Sequence, residues 1–358
     1  MYSSDKRWKQ LGELLVNYSA EVKPGERVMI AMSELESFPL LQAVYEATIQ
    51  AGGFPQVQFL SETLRHSVLK HGDEAQIRWV PEIEAYGMEW AEVYFGLRGA
   101  HNLNEHWDIP ADRLAANQAA MGKVSTLRWE KTRWCLVRVP NMNLAQQAES
   151  DLATITEMFF NACLIDWKGE SAKLQRWADR LSQASKIHVT GYETDLSFSV
   201  QGRQWIVGNG KINMPDGEVY TSPVTETIDG QIYFEFPGVL GGRLVDNIRL
   251  RWVRGRLVEA HASTHQDFLE AIVRTDPGAG LIGEFGMGAN TSLTQFCKDI
   301  LIDEKIGGTV HIALGRAYPE GGGTNKSSIH WDIIKDTRKN GAVYADGKPV
   351  LQDGVFLM

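Results

Sequence analysis

Apolar residues at Trp8, Leu11, Leu14, Leu15 and Tyr18 recur three and four apart and predict a helix over 3–21, which Lys23-Pro24-Gly25-Glu26 ends. Arg27–Met32 reads as a short buried strand. Phe38–Gln50 is helical in pattern, closed by Gly52-Gly53, and Gln56–Leu60 follows as a second strand. Strand, helix and strand in such a short span make a βαβ unit. The alternation continues with strands at Glu92–Leu97 and Trp134–Val139, and with helical segments at 74–90, 110–121, 145–165 and 170–184. A mostly parallel sheet with helices around it is the expected N-terminal architecture.

Beyond residue 185 the texture changes. Lys186–Thr190, Asp195–Val200, Gln204–Val207, Gln231–Phe236 and Val245–Trp252 are short segments of period-two character. Arg254-Gly255-Arg256 is a hairpin turn into Leu257–Ala260. The expected class is therefore α/β. An N-terminal α/β domain would span 1–185, and a strand-rich C-terminal domain 186–358.

Composition narrows the function. Hydrophobic residues make up 43% and charged residues 23% of the 358, ordinary for a chain with a real core. Lys plus Arg number 36 against 45 Asp plus Glu, a net charge of −9 that repels phosphate backbones, so nucleic acid is not an expected partner. The three cysteines are far apart, which supports neither a disulfide framework nor a thiolate zinc knuckle. No stretch approaches the ~20 apolar residues of a membrane span, and no leader pattern is visible at Met1–Gln10. The expected setting is the cytoplasm, without membrane association.

Four segments of the second half collect metal-capable side chains: Met214–Glu218, Gly283–Gly286, Gly308–Gly315 with Tyr318 beyond, and Ser327–Asp332. On a strand, residues two apart share a face, so His330 and Asp332 can grip one cation; an exposed polar face is the plainer account. His311 lies in an apolar strand, where it is either a ligand or a hydrogen-bonded core histidine. Glu218 follows a Pro-Asp-Gly turn and reads equally as a solvated loop carboxylate. The glycines around Glu284 either make a flexible loop or let backbone approach a crowded site. His261 and His265 have helical spacing but lack the glutamate of a zincin. The string Gly280–Gly288 is no phosphate loop, and Cys297 reads as a buried thiol.

Taken together, these segments resemble the aminopeptidase T (thermophilic aminopeptidase) family of metallopeptidases. The similarity runs over nearly the whole chain from Leu14–Glu26. It is most specific in Pro215-Asp-Gly-Glu218, Gly283-Glu284, His311-Ile-Ala-Leu-Gly-x-Ala-Tyr318-Pro and Ile329-His330-x-Asp332. The resemblance implies a metal-dependent aminopeptidase acting on small peptides or amides. It implies two divalent ions (zinc, cobalt or manganese) at Glu218, Glu284, His311, His330 and Asp332, with Glu284 and Tyr318 in catalytic roles and a metal-bridging hydroxide as nucleophile. It also implies a homodimer enclosing the active site. The segment between Tyr318 and His330 is shorter than in typical family members, which touches substrate choice. Glu320, close by, reads as an acidic loop residue.

The chain also resembles a relative of different chemistry, 2,5-dihydroxypyridine dioxygenase, a mononuclear iron enzyme matched at His311, His330 and Asp332, a two-histidine-one-carboxylate triad. A catalytically silent binding protein on the same scaffold is a third alternative. Formal charge separates the first two. Two divalent ions balance Glu218, Glu284, Asp332 and one hydroxide, whereas a single Fe(II) leaves a carboxylate to be protonated or paired.

Overall fold

Four strands, Arg27–Ser33, Phe54–Leu60, Val93–Gly99 and Arg133–Val139, pair in parallel, with Asn213–Met214 added at one edge. The spatial order places Arg27–Ser33 between Phe54–Leu60 and Val93–Gly99. The inner strands are buried along most of their length, as a parallel sheet requires. This is the parallel sheet expected from the sequence, in a computed structural model that describes residues 5–357.

Helix boundaries differ from expectation for identifiable reasons. Arg7–Leu14 is α-helical and continues as a π-helical Leu15–Ser19; expected positions 3 and 4 lie outside the described residues. The segment 74–90 is two helices, Glu74–Arg78 and Glu82–Trp90, because Pro81 has no N–H to carry the helix through. The segment 145–165 divides into Met142–Gln147 and Leu152–Cys163. Each starts at a side-chain cap, Asn141 accepting from the Leu144 N–H and Asp151 from the Thr154 N–H. The helix expected at 110–121 runs Ala111–Lys131, and that at 170–184 is Trp167–Leu181. Helix Glu62–His71 escaped the pattern because Leu64 and Val68 are exposed and only Leu69 is buried.

The second half is antiparallel. Eight strands form one sheet, from Arg256–His261 at one edge to Val355–Phe356 at the other. The strand expected over Val245–Trp252 is broken into Arg243–Val245 and Arg249–Val253, with Asn247 at positive φ between them. A second, five-stranded sheet has the order His330–Asp336, Thr309–Gly315, Ile282–Gly288, Glu218–Thr221, Ile206–Gly208. One cluster including Trp252, Phe198, Phe285 and Trp331 forms the core of this half.

Contacts divide the chain into two compact units, Met1–Leu164 with Gly210–Pro215, and Ile165–Asn209 with Asp216–Met358. The division therefore falls before helix Trp167–Leu181 rather than near residue 185. That helix sends Leu174, Ala178 and Leu181 into the core of the second unit. Among the described residues no helix is long and apolar enough to cross a membrane.

Candidate metal centre

The five-stranded sheet has one apolar face and one chemical face, set by strand alternation. Val219, Phe285, Met287, Val310, Ile312, Leu314, Trp331 and Ile333 belong to the core cluster. The residues between them point the other way. Glu218 stands opposite Gly288, and Gly288 opposite Thr309; Tyr220 opposite Gly286, and Gly286 opposite His311. One row further, Glu284 faces Ala313 and Ala313 faces Asp332, and then Gly315 faces His330. Glycine and alanine thus alternate with the functional side chains and leave them room.

Two glycines do more than leave room. The register slips between Ile282 and Glu284, so Ile282 lies on the core face and Glu284, two residues later, on the other. Gly283 sits at that bulge, where a Cβ would meet the Gly315 and Arg316 carbonyls at 2.5 Å. At Gly286 a Cβ would lie 2.1 Å from the His311 ring. The glycine run is therefore a fully buried strand whose glycines admit close neighbours. Of the two readings open in the sequence, the flexible loop is excluded.

The segments named in the sequence come together. His311 Nε2 lies 3.2 Å from Glu284 Oε1 and 3.5 Å from Glu218 Oε2. His330 Nε2 lies 3.3 Å from Asp332 Oδ2 and 3.9 Å from Glu284 Oε2. Glu284 thus turns one oxygen to each imidazole. The His330 Nδ1–H donates to the Arg316 carbonyl at 2.7 Å, which points Nε2 at the carboxylates. The Tyr318 ring is tilted against His330 with centroids 4.8 Å apart. Two sets of side chains have ligand atoms close enough to share an ion: Glu284, His311 and Asp332, and Glu218, Glu304 and His311.

Burial makes this cluster costly as it stands. His311 is wholly buried, and Glu218 and Glu284 are each 5% exposed. Glu218 Oε2, Glu284 Oε2, His311 Nδ1 and Asp332 Oδ1 are buried without a hydrogen-bond partner among the described residues. Burial pushes the Glu218 carboxyl up to about 8, against the pull of Lys305 and His311. Burial opposes charge on His311 too, but its hydrogen bond with Glu284 and the nearby carboxylates outweigh it and raise the imidazole to about 9. His330 is likewise raised to about 10 despite burial, chiefly by Asp332. Asp332 is held down to about 2 against its own burial, by His330 first. Three orphaned carboxylate oxygens beside two imidazoles are the hard-and-borderline donor set that divalent cations take.

Sequence reasoning missed Glu304 and Lys305. Lys305 has no exposed surface; its ammonium lies 3.4 Å from Glu218 Oε1 and pairs closely with Glu304. The available signal was Asp303-Glu304-Lys305 between Ile302 and Ile306, a charged triplet enclosed by apolar residues. Tyr220 also belongs to this face, two residues beyond Glu218. The side chains read as bland remain so: His261 and His265 are exposed and lie outside both sets, Glu320 is exposed, and burial first of all raises the Cys297 thiol.

Residues 4–356 match the thermophilic metalloprotease (M29) family. Aminopeptidase T of Thermus thermophilus is 32% identical, over 98% of each chain. Aminopeptidase 2 of Geobacillus stearothermophilus is 25% identical, over 98% of this chain and 97% of its own. Among solved structures, wild-type AmpT from Thermus thermophilus superposes with a TM-score of 0.89 at 23% identity, covering 99% of both chains. 2,5-Dihydroxypyridine dioxygenase from Pseudomonas putida KT2440 superposes with a TM-score of 0.64 at 15% identity, over 98% of this chain and 96% of its own. Both superpositions speak to the fold.

Proposed function

The chain belongs to the thermophilic metalloprotease (M29) family, and on that premise we propose that it is an aminopeptidase with a two-metal centre on the chemical face of the five-stranded sheet. The observation that carries the reading is the convergence of Glu218, Glu284, His311, His330 and Asp332, with three of their carboxylate oxygens buried and unpartnered among the described residues. Glu284, whose two oxygens face different imidazoles, would serve both ions. Glu218 and His311 would complete one side, and His330 and Asp332 the other. Divalent ions held there supply Lewis acidity toward a peptide carbonyl and a water acidified to near-neutral pH.

The remaining chemistry is the chain's own. Burial, helped by the charges of Glu284 and Asp332, raises the Tyr318 phenol above its ordinary range, and its hydroxyl would donate a hydrogen bond to the developing oxyanion. The Arg316 carbonyl holds the tautomer and direction of His330. The buried setting strengthens every such interaction relative to water.

Charge favours two ions over one iron. The site holds four carboxylates once Glu304 is counted, and five with the buried Asp216, whose charge also acts on Glu218 and Lys305; Lys305 offsets one of them. Two divalent ions balance the remaining four, whereas a lone Fe(II) balances only two. Short peptide substrates, a homodimer and a cytoplasmic setting complete the proposal. The test is metal content beside hydrolysis of aminoacyl anilides. We expect about two equivalents per chain and activity that chelation abolishes and metal restores. One iron with oxygen uptake on a hydroxylated pyridine would transfer the assignment to the dioxygenase. Two bound ions without hydrolysis would leave the binding protein.

A further inference from the structure

Glu218 divides its two carboxylate oxygens between different tasks. Oε1 lies 3.4 Å from the Lys305 ammonium, while Oε2 is buried, has no hydrogen-bond partner among the described residues and lies 3.5 Å from His311 Nε2. Lys305 is wholly enclosed, and its other partner is Glu304, a member with Glu218 and His311 of one of the two candidate ligand sets. A buried ammonium beside two carboxylates is expensive to assemble, and a hydrophobic replacement is often no less stable. The aminopeptidase reading uses Lys305 only as a charge.

We infer that Lys305 is a positioning residue for one half of the metal centre. It holds Glu218 by Oε1 so that Oε2 is presented to the site, and it keeps Glu304 within the same ligand set. Carboxylates that bind metal are commonly oriented by such an outer partner, and its loss typically costs roughly 10–100-fold in metal affinity. Lys305 also supplies a positive charge beside Glu218 and Glu304. The inference rests on the two-ion reading and concerns only the half built on Glu218, Glu304 and His311. A lysine that merely fills space with a salt bridge would leave metal affinity where it was.

The experiment is calorimetric titration of Zn(II) into the chelator-stripped full chain, with folding followed by circular dichroism. Wild type should take up two ions. In Lys305→Met, the affinity for one of them should fall roughly 10–100-fold while the other stays within about twofold. Lys305→Gln keeps an N–H donor without the charge; it should lose several-fold at the same step, and it serves as the probe should the methionine variant not fold. Two ions bound by a folded variant as tightly as by wild type, or more tightly, would overturn the positioning role. Equal weakening of both steps would overturn it as well, since the effect would then be global. A wild-type chain that binds fewer than two ions fails at the dinuclear reading itself, a result visible before any variant is made.

Discussion

Two clusters of this chain, each pairing two histidines with carboxylates, differ in what their atoms have left to do. In the first unit, His66 Nε2 lies 2.8 Å from Asp108 Oδ1, and Lys70 donates to Asp108 Oδ2 at 2.8 Å. His106 Nε2 lies 2.8 Å from Glu62 Oε2, which Arg65 also reaches at 3.2 Å. The two imidazoles stand edge to face, 5.8 Å apart. Each of these carboxylates already has a cation, and a single buried nitrogen, His106 Nδ1, lacks a partner. The second unit's group has the same residue types, far less exposure, and, among the described residues, three unpartnered carboxylate oxygens. Residue type does not tell them apart; unspent, buried donor capacity does.

The largest effect is expected from disturbing the second group without touching a ligand. Gly286→Ala drives a methyl into His311, whose ring is buried on all sides. We expect metal uptake to fall below two equivalents and hydrolysis to drop by more than the roughly 100-fold of an outer-shell change. Overpacking should cost about 1–3 kcal/mol of stability in addition. Metal analysis beside a thermal melt checks this, and full metal content in the variant would contradict the packing argument. Next in size is Tyr318→Phe. Removing the hydroxyl while keeping the ring against His330 should lower kcat by about 10²–10³-fold, with KM and metal content unchanged. A loss confined to KM would assign Tyr318 to binding instead.

These contrasts also measure what could be read from residues alone. An apolar run placed His311 on a strand, and the i,i+2 spacing of His330 and Asp332 gives them, on a strand, the shared face that the sheet provides. Short apolar runs likewise located the inner parallel strands, because a strand buried on both sides must be apolar throughout. Glu218 and Glu284 were ambiguous: a carboxylate after a turn or among glycines looks the same whether water or a neighbouring strand covers it. The bulge that turns Glu284 onto the chemical face is a property of pairing with Thr309–Gly315, far along the chain. Glu304 and Lys305 stayed hidden for a related reason. Local periodicity assigns charged residues to solvent, and only a long-range carboxylate such as Glu218 makes burying a lysine tolerable.

The smallest expected effect belongs to the first group, and its absence from catalysis is the point. Asp108→Asn should leave metal content and hydrolysis within about twofold of wild type, as suits an exposed ion pair. Its consequence is a pH dependence of stability. The hydrogen bond from Lys70 first of all, working against burial and helped by that from His66, holds the Asp108 carboxyl down to about 2, below its ordinary value of 3.8. A carboxyl depressed in the folded state contributes stability that is fully present above its unfolded pKa and fades as pH falls toward the folded one. Wild type should therefore melt slightly above Asp108→Asn from about pH 5 upward. The gap should close between about pH 4 and pH 2 as the proton is taken up. Melting curves of both proteins over that range decide it. A gap that persists at the acid end would mean that Asp108 acts through packing rather than charge, and the first group would then be something other than a set of satisfied surface pairs.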